Sequence, residues 1–285
     1  MAAELASELR SSEAPASVPH PVRRSAARLW SGLWPKLGAV VLVVLIWQLV
    51  VWSGWKSQSA LPGPWAVMGR LAGDLSQPDF YAGVAVTLRR AAVGYGIAAA
   101  AAIVLAILIA RIELARRSVG SLLVGLQSMP SIAWLPFAIL LLQRSESAIT
   151  LVVVMGAAPA IAAGLLSGID HVHPLLIRVG RAMGADGLRL YRHVIIPAAL
   201  PALVGGLKQG WAFAWRSLMS AELLVVAANQ TSIGQQLQSA GKLFDMQQLL
   251  AIMVVIFVIG IVVDNLFGML DTAVRRRWGL LGGEA

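Results

Sequence analysis

A polar, charged stretch between two long apolar segments constrains this chain more than any other feature. It covers residues 174–201, and Pro174 suits the first position of a helix. Leu175, Val179 and Met183 then recur every four residues, which places them on one helical face. The first half of the stretch therefore predicts a short helix with an apolar side, although it lies outside the apolar runs.

The second half of the stretch predicts another short helix after a glycine break. Gly184 is expected to end the first helix, because glycine accepts backbone angles that other residues resist. Asp186 is a candidate N-cap for the second helix, with Leu188 on its apolar side. Pro197 is expected to stop that helix, and Pro201 to open the next apolar run. A preshaped apolar face on a loop suggests docking to another protein.

The composition predicts an integral membrane protein. Of the 285 residues, 58% are hydrophobic and 13% are charged, whereas a soluble domain carries about 25% charged residues. Spans of roughly 20 residues leave room for about six of them. The fold class is therefore all-α and polytopic, with predicted spans at 37–55, 84–110, 118–142, 149–169, 199–226 and 249–270.

Three further segments complete the expected organisation. Residues 1–22 predict a disordered cytoplasmic tail, and residues 23–56 an interfacial helix followed by the first span. An ordinary basic flank before that span is the alternative for 23–34. Residues 57–285 form the core domain, which includes the loop at 170–198.

The positive charge of the chain marks its orientation rather than a nucleic-acid partner. The net charge is +9, but the arginines cluster in loops between apolar runs, as topology signals do. An N-terminus on the inside places most of these arginines inside. The C-terminus and the loop at 174–197 then also lie in the cytoplasm.

Enzymatic and metal chemistry find little support in the sequence. The absence of cysteine excludes disulfides and cysteine-ligated zinc. His171 and His173 flank Val172, and interfacial loop residues are favoured over metal ligands. No cofactor is expected. No Gly-x-x-x-x-Gly-Lys-Ser/Thr sequence occurs, so any ATP must be hydrolysed by a separate subunit.

The loop resembles the signature loop of the permease subunits of bacterial ATP-binding cassette (ABC) importers. That loop carries Glu-Ala-Ala, three residues, Gly, nine residues and then Ile-x-Leu-Pro. Aligned on Gly184, the chain has Arg178 in place of the Glu and Pro197 in place of the Pro. Only the Gly and the Pro match strictly, and the helix–Gly–helix pattern is kept.

Three further motifs resemble the sulfonate, nitrate and taurine branch of this family. They are Leu-Pro-x-Pro at 61–64, Thr-Leu-x-Arg with Gly-Tyr at 87–95, and Pro-x-x-x-Trp-x-Pro at 130–136. The branch usually follows the last motif with a Gly-containing turn. Here residues 143–146 read Gln-Arg-Ser-Glu, so a different turn is expected.

The resemblance implies a transport subunit of the bacterial cytoplasmic membrane rather than an enzyme. It implies a homodimer, two ATPase subunits docked under the loops, and an extracytoplasmic binding protein that delivers a small anionic solute. It also implies that residues of the loop contact the ATPase. These are Arg178, Arg181, Met183, Gly184, Ala185, Asp186, Leu188 and Pro197.

Two spans carry the candidates for a translocation path. Charges inside spans are costly and usually face a cavity or a partner, so Arg216 could attract an anion or could pair with Glu222. Prolines free backbone carbonyls, which a water-filled path tolerates, although a kink is the alternative. Helix packing is the alternative for the tryptophans. The candidates are Gln127, Ser128, Pro130, Trp134, Trp211, Trp215, Arg216 and Glu222.

Two other functions remain open at this point. A proton-coupled secondary carrier could use Glu222 and Asp264 as a relay. A membrane-assembly protein without transport activity is the third alternative. An inverted repeat would favour the carrier, and the sequence shows none.

Overall fold

A computed structural model of the chain describes residues 21–110, 112–225 and 231–278. Over these residues the secondary structure is helical, without strands. The chain divides into two compact units, Met1–Pro64 and Trp65–Ala285.

The first unit contains one long helix, α1 (Pro21–Trp52). It is continuous, so the separate interfacial helix and span that the sequence predicts are not seen, and it ends at Trp52 rather than Trp55. Its apolar part, Leu37–Trp52, is shorter than the roughly 20 residues that a span needs. The predicted tail at 1–22 lies almost wholly outside the described residues.

The second unit contains the other helices. In chain order they are α2 (Pro64–Asp74), α3 (Pro78–Ala110), α4 (Glu113–Ser128), α5 (Leu135–Leu142), α6 (Glu146–Asp170), α7 (Pro174–Ala182), α8 (Leu188–Leu190), α9 (Ile196–Leu224), α10 (Ile233–Lys242) and α11 (Met246–Arg277). A 3₁₀ turn, Ser131–Trp134, precedes α5, and a π-helical turn, Tyr191–Ile195, joins α8 to α9.

Four helices of the described chain are long and apolar enough to cross a membrane. They are α3, α6, the continuous helix Leu188–Leu224 and α11. A fifth span forms if Ser118–Ser128 and Ser131–Leu142 are counted together, although these two segments meet at 97°. The predicted number of about six spans is therefore not confirmed. The predicted end of the fifth span at Val226 lies outside the described residues.

The antiparallel pair α6 and α9 forms the centre of the bundle. Glycines let the two backbones approach closely: a Cβ on Gly164 would lie 2.5 Å from the Cα of Gly206. One turn further on, a Cβ on Gly168 would lie 2.6 Å from the Cβ of Ala202. Small residues of this kind are typical of tightly packed membrane helices. The pairing places α7 at one end of the bundle and α10 at the other.

Candidate functional site

The loop between α6 and α9 begins with a helix that is capped at both ends. His173 is the N-cap of α7, and its Nδ1 accepts the N–H of Leu175 at 3.2 Å. At the other end Gly184 has a φ of +80°. Its N–H donates to the Arg181 carbonyl at 2.9 Å, and the Ala185 N–H donates to the Gly180 carbonyl at 3.0 Å. This is a Schellman motif, so the predicted helix stop at Gly184 is confirmed.

The second predicted helix of the loop begins and ends at other residues than the sequence predicts. It begins at Leu188 after Gly187, which has a φ of +51°, and Asp186 is therefore not its N-cap. Pro197 does not stop it, because the helix continues through the π-helical turn into α9. Pro197 is the second residue of α9, directly after the π-helical turn, whose i→i+5 hydrogen bonds replace the regular helical pattern. The loop is therefore one short helix joined by a turn to the start of a span.

The loop exposes a group of apolar side chains, which we call the coupling surface. Met183 is 82% exposed and Leu188 is 65% exposed, although both side chains are large and apolar. They lie on the two sides of the Gly184 turn. An apolar patch of this kind on a loop marks an interaction site. The coupling surface consists of Leu175, Leu176, Val179, Met183 and Leu188.

The remaining predicted loop residues surround this surface. Arg178, Arg181 and Asp186 are exposed, whereas Ala185 and Pro197 are half-buried. A Cβ on Gly180 would lie 2.8 Å from Leu190, so the two arms of the loop pack closely against each other.

Two contacts fix the loop to the helices of the bundle. The Tyr191 hydroxyl donates to the carbonyl of Ala110, the last residue of α3, at 3.1 Å. Arg116 of α4 forms an ion pair with Asp170 of α6 at 3.1 Å. A displacement of the loop would therefore be passed on to α3, α6 and α9.

The histidines beside the loop serve its structure. His173 caps α7, and the Nδ1 of His171 lies 2.7 Å from the Ser167 carbonyl oxygen. No group of three or more potential metal ligands occurs within the part of the chain that the structure describes.

The predicted path residues of the third span lie at its bend. Gln127 and Ser128 end α4, and their side chains hydrogen-bond to carbonyls of their own helix. Pro130 precedes the 3₁₀ turn, and Trp134 stands edge-on to Phe137 at 6.3 Å. The bend exposes Ser128 and Pro130 and leaves Gln127 and Trp134 half-buried. A broken helix of this kind is tolerated where protein or water satisfies the freed carbonyls.

The turn after α5 keeps a glycine-like backbone although it contains no glycine. Gln143 has a φ of 59° and a ψ of −164°, a region that glycine adopts and other residues avoid. The turn thus differs from the family pattern in its residue, Gln143 instead of glycine, but it keeps the positive φ that glycine would adopt. Ser145 caps α6 immediately afterwards, and its Oγ accepts the N–H of Ala148.

Trp211 and Trp215 of α9 are buried in an aromatic cluster. Their rings are stacked at 6.1 Å, and Trp211 also stacks on Phe267 of α11 at 6.0 Å. Tyr95 of α3 meets Trp211 edge-on at 5.4 Å, and its hydroxyl donates to the Leu207 carbonyl. The cluster joins three spans, so helix packing accounts for both tryptophans in the isolated subunit.

Arg216 does not contact Glu222. It is exposed, its Nε donates to the Ala212 carbonyl at 3.0 Å, and its guanidinium lies 4.8 Å from the Phe213 ring centroid. The ion pair with Glu222 that the sequence left open is therefore not formed.

Glu222 is fully buried and pairs instead with Arg90 of α3. Arg90 Nη1 donates to Glu222 Oε1 at 2.9 Å, and Thr87 Oγ1 donates to Glu222 Oε2 at 3.0 Å. Arg90 Nε also donates to Glu146 Oε2 at 2.8 Å. A buried carboxylate needs such a cation and such donors, because leaving it unpaired would be very costly. These four side chains tie together α3, α6 and α9.

The sequence interpretation missed the role of Arg90 and Thr87. Both belong to the Thr-Leu-x-Arg motif at 87–90, which served only to support the resemblance. The Arg90 side chain is only 4% exposed. An arginine and a threonine three residues apart lie on one helical face, and Glu222 is one of few carboxylates within the apolar runs. Those two signals could have indicated the pair.

Asp264 pairs with Lys208. The Lys208 Nζ lies 3.3 Å from Asp264 Oδ2 and joins α9 to α11. Glu222 and Asp264, which a proton relay would use, thus each pair with a basic residue. The two pairs lie in separate parts of the bundle.

Comparison with known proteins identifies the family. The family model of the binding-protein-dependent transport system inner membrane component matches residues 102–276. The nitrate import permease protein NrtB of Leptolyngbya laminosa is 29% identical over 239 residues, which cover 79% of this chain and 81% of the relative. A Bacillus subtilis strain 168 permease protein named for aliphatic sulfonates transport, SsuC, is 24% identical over 271 residues, 95% of each chain.

A solved structure shares the fold. A chain of the MetNI methionine ABC transporter, in a crystal form showing inward-facing conformations, matches with a TM-score of 0.58 and 21% identity. The match covers 67% of this chain and 94% of the solved chain. This chain therefore belongs to the family of inner membrane components of binding-protein-dependent transport systems, as an ABC importer permease whose relatives include nitrate and aliphatic sulfonate permeases.

Proposed function

We propose that this permease forms the path for a small oxoanion and is coupled to a separate ATPase through the loop at 174–197. The coupling surface is the observation that carries this proposal. Met183 and Leu188 are large apolar side chains exposed away from the apolar spans, on a loop that hydrogen bonds hold in shape. Such exposure costs free energy unless a partner covers it. An apolar cleft on the ATPase is the partner that the family implies.

The attachment of the loop suggests how movement reaches the path. Tyr191 joins the loop to the end of α3, and α8 runs without a break into α9. Closure of two ATPase subunits would therefore move the ends of these helices together. In a homodimer, two copies of α3, α6 and α9 would rock between inward and outward access.

The distribution of basic residues supports the proposed orientation. Arginines occur within α7, at Arg178 and Arg181, and in the last turn of α11, at Arg275, Arg276 and Arg277, and the cytoplasmic side of membrane proteins carries such an excess. We therefore place α7 and both termini in the cytoplasm, which requires the 32-residue helix α1 to cross the membrane as well. The subunit would lie in the bacterial inner membrane, with α10 on the outer side facing a binding protein.

The class of solute rests on the charge of the path and on the relatives. Arg216 is an exposed cation in an apolar span, and such a charge usually faces a cavity or a partner. Two relatives are named for nitrate and for aliphatic sulfonates, and both solutes are oxoanions. Taurine or a related sulfonate fits the same chemistry.

Replacement of Met183 by Asp tests the docking proposal. A carboxylate on the coupling surface would lose its hydration in an apolar cleft, so the ATPase should no longer co-purify with the permease. Ser76→Asp is the control, because it places the same charge on an exposed site at the other end of the bundle. Retention of the ATPase by Met183→Asp would overturn the proposal.

A further inference from the structure

The helix α10 is fixed at its start by the buried cluster around Glu222. Glu222 Oε2 accepts the N–H of Gly234 at 3.1 Å, and Thr87 Oγ1 accepts the N–H of Ile233 at 3.1 Å. Ser232 and Gln235 add a reciprocal capping box. Free N–H groups at a helix start favour a carboxylate. The first turn of α10 is therefore held against α3 and α9.

The end of α10 has a backbone conformation that its residue resists. Phe244 has a φ of 56°. Its N–H donates to the Gly241 carbonyl at 3.3 Å, and the Asp245 N–H donates to the Ala240 carbonyl at 2.9 Å. This is the same Schellman motif that Gly184 forms in the coupling loop. Glycine usually occupies this position, and a bulky residue there is strained.

Hydrogen bonds of the turn hold this backbone conformation, but the Phe244 side chain itself is left exposed by the subunit. Phe244 is 78% exposed and the neighbouring Leu243 is 79% exposed. Both lie at the turn between α10 and α11, at the end of the bundle opposite the coupling surface. A bulky residue that adopts a strained conformation and leaves its side chain exposed is a candidate for a function outside the subunit. We call this exposed pair the apolar tip.

Charged side chains lie beside the apolar tip. Arg70 forms ion pairs with Asp74 at 3.5 Å and with Asp245 at 3.6 Å. Together with Asp79 and Leu243 they line an open cavity of 340 Å³. Arg70 and the exposed Lys242 against three aspartates leave this rim with a small net negative charge. An apolar anchor with a charged rim is the usual anatomy of a protein interface.

We propose that Leu243 and Phe244 insert into an apolar pocket on the substrate-binding protein, and that basic residues surround this pocket. The inference rests on the proposed orientation, which places α10 outside, and on the family, whose transport depends on a binding protein. The acidic rim favours a protein partner with complementary charge. A tip that inserted into lipid chains would be expected to have apolar rather than acidic residues around it. The hydrogen bonds from the start of α10 to Glu222 and Thr87 hold α10, and with it the tip, in place before the partner binds.

Replacement of Phe244 by Gly separates docking from a structural role. Glycine relieves the backbone strain, so the variant should unfold at a higher temperature than the original chain. It also removes the anchor, so the affinity for the binding protein should fall roughly tenfold or more. A merely structural Phe244 would show a change in thermal stability without a change in affinity.

The measurement uses the whole transporter in nanodiscs. The partner is the binding protein that stimulates ATP hydrolysis by the reconstituted transporter, and its dissociation constant is measured on immobilised nanodiscs. Phe257→Ala is the control, because Phe257 is also an exposed aromatic residue, at 64%, and lies within the apolar run of α11. It should leave the affinity unchanged. Asp79→Asn should slow association and weaken its dependence on salt.

Three results would overturn the proposal. The first is an unchanged affinity in Phe244→Gly. The second is stronger quenching of tryptophan fluorescence by brominated lipids in Phe244→Trp than in the original chain, which has ten tryptophans of its own; measured without the binding protein, this would assign the tip to the membrane. The third is loss of the dimer in Phe244→Gly. A wrong orientation would give a different result from a wrong docking site, because the original chain itself would then not bind the binding protein.

Discussion

Arg90 Nη1 lies 2.9 Å from Glu222 Oε1, which joins α3 to α9 across 132 positions of the sequence. Both side chains are buried, and Glu146 of α6 binds the same guanidinium. The pair lies beneath α10, whose first N–H groups bind Glu222 and Thr87. The two ion pairs of Arg90, together with the hydrogen bonds to α10, thus fix three spans and one peripheral helix.

Removal of Arg90 should destabilise the subunit strongly. Arg90→Ala leaves Glu222 buried with neutral donors only, and breaking a buried pair in this way costs about 3–5 kcal/mol. Glu146 is half-exposed, so Glu146→Gln should cost about 1 kcal/mol or less. Thermal unfolding of the purified permease in detergent measures both. Equal shifts in the two variants would mean that burial does not strengthen the pair.

Arg216 should be dispensable for folding. Its Nε binds the carbonyl of its own helix and not Glu222, so Arg216→Gln should reach the membrane at the normal level. If Arg216 lines the path of an anion, solute uptake should nevertheless fall, by roughly tenfold for one lost charge contact. Membrane level and uptake are measured in the same cells. A reduced level that Glu222→Gln restores would show that the two residues pair after all.

The close approach of α6 and α9 should depend on Gly164. A Cβ there would lie 2.5 Å from the Gly206 Cα, whereas a Cβ on Gly205 would meet no atom within 4 Å. Gly164→Val should therefore separate the helices and cost about 1–3 kcal/mol or more. Gly205→Val should be tolerated. The measurement is the yield of monodisperse permease in size-exclusion chromatography, and similar yields would contradict the packing.

Cysteine labelling tests the orientation without background, because the chain contains no cysteine. Ser57→Cys and Lys242→Cys are exposed positions that should react with an impermeant thiol reagent from outside. Ser118→Cys should react only after the membrane is opened. Ser232 is unsuitable as a probe, since it is buried in the capping box of α10. The reverse pattern would place α7 outside and exclude ATPase docking there.

Local rules predicted the features that depend on neighbouring residues. The helix stop at Gly184 follows from a single backbone angle, and the apolar lengths of α3, α6 and α11 follow from composition. Pro197 shows the limit of such rules. It was expected to stop a helix, but the helix continues past it, and a π-helical turn lies directly before it.

Features that depend on distant residues were missed. Glu222 is unusual in the sequence, yet its partner lies in another span. The spacing of Thr87 and Arg90 shows that they share a helical face, but only the packing of α3 against α9 shows that this face meets Glu222. The strain at Phe244 was also missed, because nothing in the sequence around it requires a positive φ. Both depend on how the helices pack and not on helical periodicity.

The coupling role of the loop is the central claim, and Gly184→Val tests it most directly. A Cβ at Gly184 would meet no atom within 4 Å, so the only obstacle is its φ of +80°, which valine resists. The loop should lose its shape while the spans stay inserted. Gly120→Val is the matched control, because it also has open space but no positive φ.

The measurement is solute-stimulated ATP hydrolysis in liposomes that contain the permease, the ATPase and the binding protein, together with co-purification of the ATPase. We predict that Gly184→Val loses the stimulation or releases the ATPase, whereas Gly120→Val keeps both. Stimulation and co-purification of Gly184→Val at the level of the original chain would contradict the claim that this loop couples ATP hydrolysis to transport.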